Sequence, residues 1–228
     1  MTIPIQGRFT RSDLFQALVG MLEQENAVIL AHFVHHVLKP GNAYQFAIDY
    51  TNDPYYGETT DENESYVIRS KRKKSTNEFY SYVTLYVTTK DRQMTLAVYP
   101  VRQEISKVRY IARCLDRIAE LGLEIKALCL DREFYTRKVF GFLTRLQVPF
   151  IVPVRKHGKR MKELLRRTES RYAEYRMKAK PPLLLTIAIA VKYAKGKRGK
   201  HGVDVNSGLI LCNYGGIKCT PADLQALA

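Results

Sequence analysis

Apolar positions along the chain recur at two periods, and each switch between them marks an element. Leu14, Leu18, Met21 and Leu22 recur at helical spacing behind Thr10 or Ser12, which can cap the run. A second helix is expected over Glu25–Leu38, ending before Pro40-Gly41. After Asn42 the pattern turns strand-like. Tyr44–Tyr50 (YQFAIDY) reads as a short apolar strand ending in a carboxylate, followed by a polar loop and the basic run RSKRKKS. Phe79–Thr89 and Arg92–Tyr99 are rich in β-branched and aromatic residues, with Lys90-Asp91 as a tight turn between them. Ile105, Val108, Ile111, Leu115, Ile118 and Leu121 return to helical spacing, and Gly122 closes that helix. Ile125–Leu130 is a buried strand that ends in Asp131. A helix over 135–147 and a strand over 149–154 follow.

Three strands with a hairpin, then helix, strand, helix and strand, predict an α/β fold. An antiparallel meander joins a right-handed parallel crossover in one mixed sheet flanked by helices. Beyond Arg155 the character changes. A basic helix over 159–167 precedes strand-like runs at 171–179, 183–194 and 203–213. Leu183, Leu185, Ile187, Ile189, Val191 and Tyr193 alternate with their neighbours, the period of a strand. This part is expected to form a basic β-rich insertion rather than to continue the sheet. The expected organisation is a helical segment at 1–41, an α/β core at 42–154, the insertion at 155–219, and a helix starting at 220–228 behind Thr220 and Pro221.

Charge sharpens this division. The 228 residues carry 37 Lys and Arg against 22 acids, a net of +15. Residues 155–202 alone hold 16 of those bases and three of the acids, a net of +13, which leaves only +2 elsewhere. Such concentration points to a polyanionic partner. An anionic membrane is disfavoured, because no apolar run approaches the roughly 18–20 residues of a span. The first residues lack the apolar core of a secretion signal, so an intracellular, cytoplasmic protein is expected. Cys114, Cys129, Cys212 and Cys219 form no CxxC pair and have apolar neighbours, which suits reduced core thiols. His32, His35 and His36 share a helical face, but no adjacent carboxylate or cysteine completes a metal set.

Two carboxylates carry the candidate chemistry. Asp49 and Asp131 each follow an apolar strand, and in open sheets sites form beyond strand ends. On neighbouring strands the two would converge, and close carboxylates repel unless a proton or a divalent cation intervenes. Mg²⁺ takes such hard oxygen ligands together with substrate phosphates. Each aspartate alone reads better as an ordinary strand-end or turn residue; only the two together, beside a basic segment, bring the metal-site reading level with it.

YQFAIDYTNDPYYGE, YVIRSKRKKSTNEFYSYVTLYV, TLAVYPV and LCLDREFYTRKVFGFLTRLQVPFIVPVRK resemble the DDE-type insertion-sequence transposases. The likeness is to the group with a β-rich insertion between the second Asp and the Glu. It covers about Tyr44 to the end of the chain. It implies a ribonuclease-H-like fold, dependence on Mg²⁺ or Mn²⁺, and DNA cleavage and strand transfer, with Asp49 and Asp131 as catalytic metal ligands. Transposon ends and target DNA would be the partners, and a homodimer is one option for assembly. The family's third acid lies in a Tyr-x-x-Arg-x-x-x-Glu pattern that this sequence lacks, so a C-terminally truncated copy with impaired activity is expected. Glu133 and Asp223 are weak substitutes. Arg69, Lys71, Arg72, Lys73 and Lys74, in the loop after the first catalytic strand, are expected to meet DNA phosphates. So are Arg155, Lys156, Lys159 and Arg160, and Lys195, Lys197, Arg198 and Lys200. Tyr55, Tyr56, Tyr66, Phe79 and Tyr80 are either base-stacking or core residues. Two other readings stay open: a non-catalytic DNA-binding remnant, and a repair or recombination nuclease of the same fold.

Overall fold

The computed structural model describes residues 17, 20, 21, 24, 25, 28, 37–73, 75–89, 93–155, 157–166, 170–178, 182–189 and, in backbone only, 208–212. In the first segment, residues 17, 20, 21, 24, 25 and 28 are helical. His32, His35 and His36, the Lys90-Asp91 turn and the helix expected from 220 lie outside the described residues. So do Lys74, Lys156, Lys195, Lys197, Arg198 and Lys200.

The chain divides into two compact units. Strand β1, Ala43–Pro54, contributes to both: residues 43–48 belong to the second unit and 49–54 to the first. In the first unit, β3 (Thr76–Thr88) lies beside β1, and both β2 (Val67–Lys73) and β4 (Gln93–Pro100) pair with β3. Tyr55 N–H donates to the Glu78 carbonyl, while the Ser81 hydroxyl donates to Asn52 Oδ1, so β1 and β3 run antiparallel. Along β3 the alternating Phe79, Ser81, Val83, Leu85 and Val87 are all buried. Helix α1, Lys107–Glu120, buries Tyr110, Ile111, Cys114 and Ile118 on one stripe. Ser106 caps its start, accepting from Arg109 N–H.

Gly122 ends α1 as the sequence predicts. It has φ +64°, its N–H donates to Ala119, and Leu123 N–H reaches back to Ile118. That is a complete Schellman closure.

In the second unit the strand order is β1, β5 (Glu124–Leu130), β6 (Phe150–Pro153), β9 (Gly208–Cys212), β8 (Leu183–Ile189), β7 (Arg171–Met177). Glu124 N–H donates to Asn42 and Asp131 N–H to Ile48, so β1 and β5 ascend together. β5 and β6 are parallel, joined through α2, Arg137–Arg145, whose Val139, Phe140 and Leu143 are buried. With β3 and β1 antiparallel and β1, β5 and β6 parallel, the strands form a mixed sheet in an α/β fold, flanked by helices.

Three expectations need correction. β1 does not stop at Tyr50: it runs to Pro54, so Asp49 sits within the strand. The polar residues Thr51, Asn52 and Asp53 stay in register because β3 supplies backbone partners to that half of β1, as in the bond from Tyr55 N–H to Glu78. Arg69–Lys73 is not loop but strand β2, bonded to β3 from Val67↔Tyr80 to Lys73↔Thr76 with an irregularity after Arg69. The strands beyond Arg155 also do not stand apart from the sheet. β9 pairs antiparallel with β6, β8 with β9, and β7 with β8. Leu185, Ile187 and Ile189 of β8 are buried, and apolar side chains of that kind need a covered face. A short helix, α3, covers Lys159–Leu164 and stops short of Arg167. No helix among the described residues is long and apolar enough to cross a membrane.

Candidate functional site

Asp49 is half-buried, and its Oδ2 accepts a hydrogen bond from the Thr51 hydroxyl at 2.9 Å. Residues i and i+2 of a strand share a face, so the Asp-Tyr-Thr spacing itself puts the hydroxyl beside the carboxylate. Tyr50 between them belongs to the opposite face.

Asp131 follows the last residue of β5 and caps a 3-10 turn, Arg132–Phe134. Its Oδ1 accepts from Arg132 N–H at 2.5 Å and its Oδ2 from Glu133 N–H at 3.4 Å. Its own N–H donates to the carbonyl of Ile48 at 3.1 Å, and Ile48 is the residue before Asp49. The turn is held from outside as well. Arg155, directly beyond β6 and Val154, donates from Nε to the Arg132 carbonyl at 3.3 Å, and its guanidinium lies 3.5 Å from Glu133. Phe134, fully buried, anchors the turn below. Arg155 was expected to contact DNA; here it also ties β6 to the turn that Asp131 begins. Sequence spacing offered no signal for that latch, because Glu133 and Arg155 are brought together only by the β5–α2–β6 crossover.

The other described basic candidates divide by position. Arg69, Lys71, Arg72 and Lys73 are exposed along β2, which among the described strands borders β3 alone. Arg69 is ion-paired with Glu78 at 3.3 Å, and Arg72 Nε donates to the Ser75 carbonyl at 3.2 Å. Lys159 and Arg160 are exposed in the first turn of α3. Among the aromatic candidates, Tyr66 and Phe79 are core residues. Tyr55 and Tyr80 pack ring to ring at 4.5 Å, and burial together with the hydrogen bond to Tyr55 pushes the Tyr80 phenol up to about 12. Tyr56 is 68% exposed and is the stacking candidate that remains on the surface.

The donors at Asp49 and Asp131 are hard carboxylate oxygens on half-exposed residues, which suits Mg²⁺ or Mn²⁺ in kind. Among the described residues no group of three or more His, Cys, Asp or Glu is assembled. Cys114 is fully buried, and burial pushes its thiol up to about 12; Cys129 is half-buried and accepts from Gln45 Nε2 at 3.3 Å. Both are free thiols, as expected, and Cys114 is the one in the core.

No protein-family model matches the chain, and no curated protein matches it. Among solved structures it is similar to a piggyBac transposase in a synaptic complex with hairpin DNA, at 13% identity and a TM-score of 0.47. That match covers 96% of this chain and 43% of the other, so the chain spans less than half the transposase's length. It is similar to the catalytic domain of human endonuclease V at 12% identity and a TM-score of 0.37, over 86% of this chain and 81% of that one. A second structure of human endonuclease V gives 12% identity and a TM-score of 0.37, over 86% and 83%.

Proposed function

We propose that the chain is the core of a metal-dependent DNA strand-cutting and strand-transferring enzyme of the DDE-transposase kind, with Asp49 and Asp131 as metal-binding acids. The observation that supports this reading best is the main-chain bond from Asp131 to Ile48, which ties the peptide beside one aspartate to the other. Thr51 would orient the Asp49 carboxylate, and Arg155 would steady the turn that Asp131 opens. A divalent ion bound by the two acids would supply Lewis-acid activation of the attacking and leaving oxygens. Hydrolysis joins a water oxygen to phosphorus and breaks the P–O3′ bond, leaving a 3′-hydroxyl and a 5′-phosphate. The 3′-hydroxyl then attacks a phosphodiester of the target. Exposed basic residues of β2 and α3 would hold the strands by their phosphates. Transposon ends, target DNA and residence on the nucleoid follow from this reading, as do the domain limits at 41, 154 and 219.

The test is Mn²⁺ binding to the purified chain, read by electron paramagnetic resonance. Asp49→Asn and Asp131→Asn should each weaken binding by about tenfold or more, the order expected when one ligand of a hard-cation site loses its charge. Unchanged Mn²⁺ affinity in both variants would overturn the assignment. One observation favours a second reading, a DNA-binding protein without catalysis. The Asp131 carboxylate already serves as a cap, which is a structural task in itself. On that reading DNA binding survives both substitutions and no Mg²⁺-dependent nicking accompanies it.

A further inference from the structure

The first unit contains a cavity of about 420 Å³, a size within the range of small-ligand sites. Its lining includes three cationic side chains, Arg69, Arg102 and Lys107, and no carboxylate. Glu78 pairs with Arg69 at 3.3 Å and Glu104 with Arg102 at 3.0 Å, each through Nε. These pairs use one donor of a five-donor guanidinium and fix where the rest of the fork sits. Counting both glutamates, the surroundings keep one net positive charge. Lys107 lies over the ring of Tyr50 at 4.7 Å, and Arg102 over the ring of Tyr66 at 4.9 Å.

The wall is built rather than incidental. The Tyr110 hydroxyl accepts from Arg102 N–H at 2.8 Å and donates to the Pro100 carbonyl at 3.1 Å. The Gln103 side chain donates to the Glu64 and Val67 carbonyls at 2.9 and 2.8 Å, and its N–H donates to Ser65 at 2.8 Å. Tyr110 is fully buried beneath. A solvated groove does not require a loop held at both main chain and side chain. Cations around a small concavity, two of them oriented by an ion pair through Nε, are what recognition of a phosphate requires.

We propose that this cavity binds a phosphate group of a DNA strand, a contact separate from Asp49 and Asp131. The strand would be held at Tyr50, on the face of β1 opposite Asp49. The proposal rests on the reading that DNA is the partner, but not on metal binding or cleavage.

Binding of a short, labelled single-stranded oligonucleotide to the full chain, followed by fluorescence anisotropy in EDTA, tests it. Arg102→Gln and Lys107→Gln should each weaken binding about three- to tenfold and lower the salt slope by about one. Lys107→Arg should keep parental affinity, and Arg145→Gln, an exposed charge on α2, should change it little. Thermal stabilisation by dAMP separates the two sources of phosphate. Loss of DNA affinity in both Gln variants, each folded by circular dichroism, supports the proposal. Parental DNA affinity in both overturns it, as does a loss confined to dAMP. If Mn²⁺ binding fails while these results hold, only the metal assignment falls.

Discussion

Asp131 was legible as a strand-end carboxylate, and its use as a cap was not. The signal for the first is local: a six-residue run that is apolar but for Lys126, and then an acid. The cap depends on the backbone turning at Arg132, and that turn is stabilised by Phe134 burial and by Arg155 from beyond β6. Neither is visible in the residues adjoining Asp131. Cys114 is a simpler case, since its apolar neighbours in the sequence already implied burial. Its raised thiol pKa sets the sign of a pH effect. Below pH 9 both folded and unfolded chains keep the proton, so this contribution to stability is fully present. Between about 9 and 12 the unfolded chain releases a proton that the folded chain retains, so stability falls as pH rises. The loss is about 1.4 kcal/mol per pH unit for one group at most. Urea unfolding at pH 8 and pH 10 should show this decline, and Cys114→Ala should make it shallower by up to that amount. The folded thiol should also resist alkylation at pH 8; rapid modification of Cys114 in native protein would contradict the assigned burial.

At the scale of elements, helices α1 and α2 end in the same way with different residues. Gly122 closes α1 at φ +64°, and Gln147 closes α2 at φ +56°. Val148 N–H bonds to Leu143 and Gln147 N–H to Thr144, repeating the pattern of Leu123 and Gly122. A side chain in this left-handed region is strained, whereas glycine is not. Gly122→Ala should therefore lower stability by about 1 kcal/mol, and Gln147→Gly should change it little or raise it by up to about 1 kcal/mol. Denaturant midpoints of the two variants check the pair, and destabilisation by both would reject the shared closure. The glycine stop was readable from sequence; the glutamine stop was not, because Gln carries no such preference. The same contrast separates β8 from β2. β8 announces itself by alternation of apolar side chains. β2 is IRSKRK after Val67, with no alternation to read, and it becomes a strand because the first half of β3 offers it backbone partners. Tertiary pairing, not propensity, decides such a segment.

At the scale of the whole molecule, a net charge of +15 is costly to hold together without a counter-charge, and its self-repulsion is relieved when a polyanion binds. Most of the excess lies beyond Arg155, where β7, β8 and β9 extend the sheet from β6. A second run lies on β2. If these surfaces hold DNA, affinity must fall steeply with salt, by about 0.7 in log K per log unit for each single-strand phosphate displaced from its counterions, and by about 0.9 on duplex. Replacing Lys71, Arg72 and Lys73 together by Gln should flatten the slope by about two to three units on duplex DNA. The same number of charges removed at Lys39, Lys126 and Arg145, exposed residues outside β2, should flatten it by less than one. Equal flattening by both sets would mean that net charge alone governs binding, and β2 would then have no special place in it. A duplex titration across a range of salt concentrations, in EDTA, therefore distinguishes a placed strand of cations from a diffusely basic protein.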